Sequence, residues 1–225
     1  MAVKVSFVIP TLNEAGQLPL TLASLPSLGG DFECCIADGG SLDSSRDRAL
    51  HAGARWIECA EPGRGKQLNA GAFQAQGDVL VFLHADTRML PGAVHSMLRA
   101  LGDKRLVGGA FQRRFDHPSL FLRATCWLAD ARGESWGWFF GDQCQFVRRE
   151  VFLQLGGYVD WPRFEDLDFA RRLARIGKTC LIRPGVISSG RRFGDHPVRR
   201  TLKDFGLTLR YWAGGAQGAG TNTAR

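Results

Sequence analysis

The sequence predicts a single α/β domain built on a mainly parallel sheet flanked by helices. Three observations predict it. Apolar runs at Val5-Ser6-Phe7-Val8-Ile9, Cys34-Cys35-Ile36-Ala37 and Val79-Leu80-Val81-Phe82-Leu83 each stop at a polar knot, and a fourth, less regular stretch ends at Phe164-Glu165-Asp166. A short apolar run ended by turn chemistry reads as a strand buried on both faces. Between these runs lie segments with helical spacing, the alternation that a parallel sheet with right-handed crossovers requires. Strands in such a sheet end on one edge, where ligands bind. The knots Pro10-Thr11-Leu12-Asn13-Glu14, Asp38-Gly39-Gly40-Ser41 and His84-Ala85-Asp86 should therefore meet there.

After the first strand, Leu18, Leu22 and Leu25 give a helix over 14–28 closed by Gly29-Gly30. A strand near 33–37 precedes a helix over 44–52, and 53–57 gives a short third strand. Residues 67–76 read as helix before the strand at 79–83. Pro91 suits the first turn of the next helix, whose stripe is Val94, Met97, Leu98 and Leu101. Beyond residue 106 the pattern changes. Gly108 to Phe115 suggests an extended strand carrying Arg113 and Arg114, and 120–131 an amphipathic helix. Trp136-Gly137-Trp138-Phe139-Phe140-Gly141 reads as a loop leading to a strand at 144–147. A helix over 165–176, capped by Gly177, and a strand at 180–183 complete the pattern. There is no repeat and no linker, so one domain spans 1–215. Residues 216–225 carry no large apolar side chain and read as a disordered tail.

At 225 residues, 44% of them hydrophobic, the chain is long enough to bury a core. No apolar run approaches the ~20 residues of a membrane-spanning helix. The immediate first strand leaves no room for a signal peptide, so a cytoplasmic location is expected. Six cysteines lack zinc-ribbon or redox spacing and are expected to be buried, reduced thiols. The net charge of +7 is concentrated, because residues 163–210 hold 12 Lys or Arg against 5 Asp or Glu. Arg191, Arg192, Arg199 and Arg200 would attract phosphates or an anionic membrane surface. Arg171, Arg172 and Arg175 read more simply as a solvated helix face. With no recognition helix or aromatic-basic strand motif, nucleic-acid binding is not expected.

The knots suit chemistry on a nucleotide and a metal. Asp86, at the end of a buried strand, can hold Mg²⁺ or Mn²⁺ together with phosphate and water; equally, Asp86-Thr87 can cap the helix that follows. Asp38 can accept hydrogen bonds from a base or a ribose, with Gly39 and Gly40 letting a ligand approach, while Asp43 and Ser44 are explained by a capped turn. Gly63-Arg64-Gly65-Lys66 opens a helix, so backbone amides, dipole and Lys66 favour a phosphate. It is not a Walker A loop. Glu165-Asp166 is ordinary first-turn electrostatics by itself, but after Gly156-Gly157-Tyr158 a carboxylate there can deprotonate a hydroxyl.

In order, Ile9-Pro10-Thr11-Leu12-Asn13-Glu14, Asp38-Gly39-Gly40-Ser41-Leu42-Asp43, Gly65-Lys66-Gln67-Leu68-Asn69-Ala70-Gly71, His84-Ala85-Asp86 and Phe164-Glu165-Asp166 resemble the signature of family 2 glycosyltransferases. The resemblance runs from residue 3 to about residue 190. Ser189-Gly190-Arg191-Arg192-Phe193 looks most like a small bacterial subfamily, transferase 2, associated with radical-SAM and selenium-domain proteins.

What the resemblance implies is a GT-A fold, Rossmann-like, with a nucleotide-binding half (1–105) and a mixed acceptor and catalytic half (106–215). It implies a nucleotide-sugar donor, a UDP-sugar first, a divalent metal (Mn²⁺ or Mg²⁺) and inversion at the anomeric carbon. Pro10, Thr11, Asn13 and Glu14 would line the nucleotide site; Asp38 with Gly39 would take the base or ribose; Lys66 would lie near the phosphates; Asp86 would hold the metal. Asp166 is the first choice for the general base, with Glu165 next. His84 departs from the pattern, standing where many relatives carry an aspartate, so metal binding before the donor arrives should be weak. Arg191 and Arg192 would touch phosphates of the donor or of a lipid-linked acceptor. Trp136, Trp138, Phe139 and Phe140 would stack on an acceptor sugar, dip into a membrane surface at its cytoplasmic side, or simply pack.

Two other readings stay open. A sugar-phosphate nucleotidyltransferase shares the sheet and metal site, although the early glycine- and arginine-rich loop it needs is missing. A non-catalytic nucleotide-sugar or membrane-surface binding protein would leave the Glu165-Asp166 pair without a task.

Overall fold

The computed structural model describes residues 3–194 together with Pro197, Val198, Thr201 and Gly206. Arg199, Arg200 and the 216–225 tail lie outside the described residues. Eight strands form one sheet in the order β3-β2-β1-β4-β7-β6-β8-β5. The first four are β1 (Val5–Thr11), β2 (Phe32–Asp38), β3 (Arg55–Glu58) and β4 (Val79–Phe82). They are mutually parallel, with Thr11 beside Asp38 at their ends. The other half holds β5 (Thr87–Met89), β6 (Leu106–Phe115), β7 (Gln145–Arg148) and β8 (Lys178–Ser188). Here β7 is antiparallel to both β4 and β6, while β8 runs parallel to β6. The sheet is therefore mainly parallel on one side and mixed on the other.

Burial on both faces explains the unbroken apolar runs. Val5, Phe7 and Ile9 of β1 enter one core while Val8 enters the other, and β4 divides Val79 and Val81 from Leu80 and Phe82 in the same way. The first core is covered by α1 (Leu18–Ser24), α2 (Ser45–His51) and α4 (Ala93–Ala100), through Leu18, Leu22, Ala49 and Met97. The second lies under α3 (Arg64–Gln74), α6 (Arg149–Gln154) and α7 (Glu165–Ile176), through Leu68, Ala72, Phe152 and Phe169. A further helix, α5 (Leu120–Trp136), packs on the β6 side.

Several expectations are corrected. The helix over 14–28 shrinks to α1 plus a 3₁₀ turn at Pro26–Leu28, because Pro26 has no amide to continue the ladder. No strand precedes Phe164, which sits at φ 64° directly before α7. The 180–183 strand extends past Pro184 to Ser188, where Gly185 lets the Gln112 carbonyl come close beside a register shift. The aromatic loop starts later than expected, since α5 runs through to Trp136. Arg172 is not a solvated face residue: it binds Asp168 at 2.7 Å and the Leu155 and Gly157 carbonyls. All six cysteines are free, and Cys35, Cys126 and Cys144 are buried.

Candidate active site

The chain winds outward from β1 through β2 to β3 and then crosses back to β4 on the other side of β1, so a crevice opens where β1 and β4 end. A cavity of about 240 Å³ occupies it. Pro10, Thr11, Leu12 and Glu14 line one wall, His84, Ala85 and Asp86 a second, and Arg64 and Gln67 of α3 a third.

Not every anticipated residue faces this cavity. Asp38 is buried and spends its carboxylate on its own turn, accepting from the amides of Gly40 (3.0 Å) and Ser41 (2.9 Å) and from the Ser41 hydroxyl. Asn13, at φ 54°, ties that turn to β1: its amide donates to Ser41 Oγ and its Oδ1 accepts from Leu42, both at 2.8 Å. Gly39 packs under Gln67, whose amide a Cβ would meet at 3.1 Å. Lys66 turns away, with Nζ on Glu61 and 3.4 Å from Asp160.

Two residues missed in the sequence do face it. Gln67 is buried and donates Nε2 to the carbonyls of Thr11 (2.8 Å) and Ala37 (2.9 Å), joining the ends of β1 and β2. Arg64 lines the cavity and donates Nε to Glu165, while its Nη2 lies 3.6 Å from Asp166. The sequence signal was present, a cation in the glycine turn that opens α3, but Lys66 stood beside it.

The Glu165-Asp166 pair starts α7 and is buried there. Asp166 accepts from the Gly141 amide at 2.6 Å and the Leu167 amide at 2.7 Å. Burial raises its carboxyl above the ordinary value, with Glu165 adding to the rise and Arg64 opposing it. Gly141 also connects the pair to the His84-Ala85-Asp86 knot: a Cβ there would lie 3.0 Å from Asp166 Oδ2 and 3.4 Å from His84 Nε2. Next to it Asp142 is bound by Arg113 and lies 3.7 Å from Arg192. Burial would raise the Asp142 carboxyl, but these arginines hold it below the ordinary value. Arg191 grips Glu14 and lies 3.8 Å from Asp86.

Among the described residues no group of three or more His, Cys, Asp or Glu side chains is placed to hold a metal. Burial, helped by the Arg64 charge, pushes His84 down to about 4, so its imidazole is neutral at neutral pH. One carboxylate (Asp86) and one neutral imidazole fit a divalent ion that takes further oxygens from phosphate and water.

Residues 6–158 match the family described as glycosyl transferase family 2. A PGL/p-HBAD biosynthesis glycosyltransferase of Mycobacterium bovis is 40% identical over 220 residues, covering 89% of this chain and 77% of the relative. The chain spans 64% and 43% of the length of two other mycobacterial relatives it matches. Among solved structures, the Pyrobaculum calidifontis mannosyltransferase PcManGT with GDP-Man and Mn²⁺ overlays at TM-score 0.74 and 18% identity, covering 95% of this chain and 64% of that one. Glucosyl-3-phosphoglycerate synthase from Mycobacterium tuberculosis, with Mn²⁺, UDP and glucosyl-3-phosphoglycerate, overlays at 0.63 and 18% identity, covering 99% and 82%. The fold is the GT-A fold of these enzymes. By the match over residues 6–158 and the 40% identical relative, the chain belongs to glycosyl transferase family 2.

Proposed function

We propose that the protein is an inverting glycosyltransferase that moves a sugar from a nucleoside-diphosphate sugar to an acceptor hydroxyl. The observation that carries this reading is the meeting of Asp86 and His84 with Arg64 in one cavity, with Asp166 held beside Arg64. Residues 1–105 form the nucleotide half in this reading, and 106–215 the acceptor half. Pro10, Thr11 and Glu14 bound the donor; Asn13, Asp38 and Gly39 shape the turn against which its base would lie. A divalent ion, Mn²⁺ or Mg²⁺, held by Asp86 and His84, supplies charge neutralisation for the diphosphate when bound. Arg191 and Arg192 stand at the same edge with further positive charge. Asp166 takes the proton from the acceptor hydroxyl, and attack from the face opposite the leaving diphosphate inverts the anomeric centre.

UDP-sugars are the first donors to test, with GDP-sugars second, since the structural neighbours hold both nucleotides. The acceptor in this reading is lipid-linked. Leu120, Trp127, Leu128 and Trp136 are exposed along α5 and would meet a membrane surface, at its cytoplasmic side. No helix among the described residues is long and apolar enough to cross a membrane. The segment Ser189 to Phe193 supports placing the chain in the transferase 2 subfamily.

The test is a nucleotide-sugar panel read by thermal shift, then by release of nucleoside diphosphate. A stabilising donor that is turned over with Mn²⁺ or Mg²⁺, and not by Asp86→Ala or Asp166→Asn, supports the reading. Release of pyrophosphate from a nucleoside triphosphate would favour a nucleotidyltransferase instead, and tight binding without turnover a non-catalytic protein.

A further inference from the structure

We propose that Arg64, anchored through Nε on Glu165, receives the donor's diphosphate, and that in doing so it withdraws Nη2 from Asp166. This rests on the glycosyltransferase reading above. Geometry divides the guanidinium into a fixed end and a free one. The fixed end is the Nε contact to Glu165, whose side chain is 1% exposed and whose second carboxylate oxygen is buried with no hydrogen-bond partner. Breaking that contact would strand a buried charge with neither oxygen satisfied, so the anchor stays. The free end is Nη2, which at 3.6 Å from Asp166 is outside hydrogen-bond range. The Arg64 side chain is 43% exposed and borders the same cavity as Asp86 and His84. A phosphate there offers it short, charge-assisted bonds.

Asp166 does not depend on Arg64 for its position, because the Gly141 and Leu167 amides hold its two oxygens. Withdrawal of the guanidinium therefore changes its charge environment and leaves its placement alone. The other charged or titratable groups around it are Glu165 on its own helix, Tyr158, Arg132 with Asp142 from the acceptor half, and His84 across Gly141. Losing the nearest cation strengthens Asp166 as a proton acceptor. Donor arrival thus prepares the base, and the donor is expected to bind before the acceptor is deprotonated. Glu165 is in this account a positioning residue, holding Arg64 for the phosphates.

The experiment is a ¹³C-carboxyl NMR titration of Asp166, assigned with Asp166→Asn, with and without UDP and Mg²⁺, with GDP as second probe. In the wild type the nucleotide should raise the Asp166 midpoint by about one pH unit. The comparison is the double variant Arg64→Gln/Glu165→Gln, which removes both charges and leaves no unpaired buried carboxylate. There only the combined charge of the nucleotide and its Mg²⁺ acts, so the shift should fall below half the wild-type value, and the nucleotide Kd should rise about tenfold or more. Equal shifts in both proteins, or an unchanged Kd, overturn the proposal. If neither UDP nor GDP binds the wild type, the glycosyltransferase reading falls as well. If nucleotide binds and donor turns over while Asp166 does not respond, only the exchange by Arg64 is wrong.

Discussion

Arg191 places one guanidinium nitrogen on both oxygens of the Glu14 carboxylate, at 2.6 and 2.7 Å, across 177 positions of sequence. The contact closes the rim of the cavity between the loop after β1 and the segment after β8. Its Arg191 side chain is 48% exposed, which limits what the pair adds to stability. Arg191→Ala should therefore cost less than about 1 kcal/mol in denaturant unfolding. If Arg191 also meets the diphosphate, the same variant should weaken nucleoside-diphosphate binding by about tenfold in calorimetry, the loss expected for one charge-assisted bond. Unchanged binding would leave Arg191 to the carboxylates of Glu14 and Asp86.

Asp166→Asn should lower kcat by about 10² to 10⁴ while the donor KM changes little, since a base acts on the acceptor. The wild-type pH profile should rise from an acid limb above the ordinary aspartate value of about 4, because burial raises the Asp166 carboxyl. Activity needs the ionised form, so rate is lost as pH falls through the raised value. The sign for stability is opposite. Between the ordinary and raised values the folded chain binds the extra proton, so this group's contribution to stability declines as pH climbs through that window.

Asp86→Ala should abolish stimulation by Mn²⁺ or Mg²⁺ and lower kcat by at least about 10²-fold, the scale of lost charge neutralisation at a leaving phosphate. The measurement is initial rate against metal concentration. Among the described residues no group of three or more potential ligands is assembled, and Asp86 has only the neutral His84 beside it in this reading. Calorimetry of the metal alone should therefore detect weak binding that tightens when UDP is present. Tight metal binding without nucleotide would contradict this donor set.

Gln67→Leu removes the amide that bridges the Thr11 and Ala37 carbonyls. Leaving buried acceptors short of a donor costs about 1–3 kcal/mol. For a chain of this size that is a fall in Tm of roughly 2 to 12 °C. Scanning calorimetry of the variant checks it, and a Tm within 1 °C, well under that ~2 °C floor, would show that other donors replace the amide.

Lys66→Ala should leave kcat/KM within about twofold of wild type. Screened ion pairs to exposed acids are worth little, and Nζ is engaged with Glu61 and Asp160 on the outer side of α3. Steady-state kinetics against a common donor, beside Arg64→Gln, decides which cation serves the phosphates.

Much of the fold was legible because strand burial writes itself locally. β1, β2 and β4 announced themselves as unbroken apolar runs, and each ended at the polar knot the sequence marked. The short β5 and the helix α6 were not anticipated. Three residues of β5 gain their pairing from β8, about a hundred positions away, and carry no periodicity of their own. For Asp38 the sequence points to a ligand for base or ribose, and a carboxylate beside two glycines looks the same whether it serves a ligand or its own turn. The hydrogen bonds from Gly40 and Ser41 show how it is spent in this structure.

The amino-acid order by itself determined where β1, β2 and β4 run, that Asp86 follows β4 and that Glu165-Asp166 open a helix, since side-chain alternation and turn chemistry are properties of neighbouring residues. Only the tertiary structure decided that Arg64, and not Lys66, looks into the cavity. Residues two apart on a helix point about 200° from one another, so one of them must face away. Which one does so depends on how α3 lies against β1 and α7, an arrangement set by packing between distant segments.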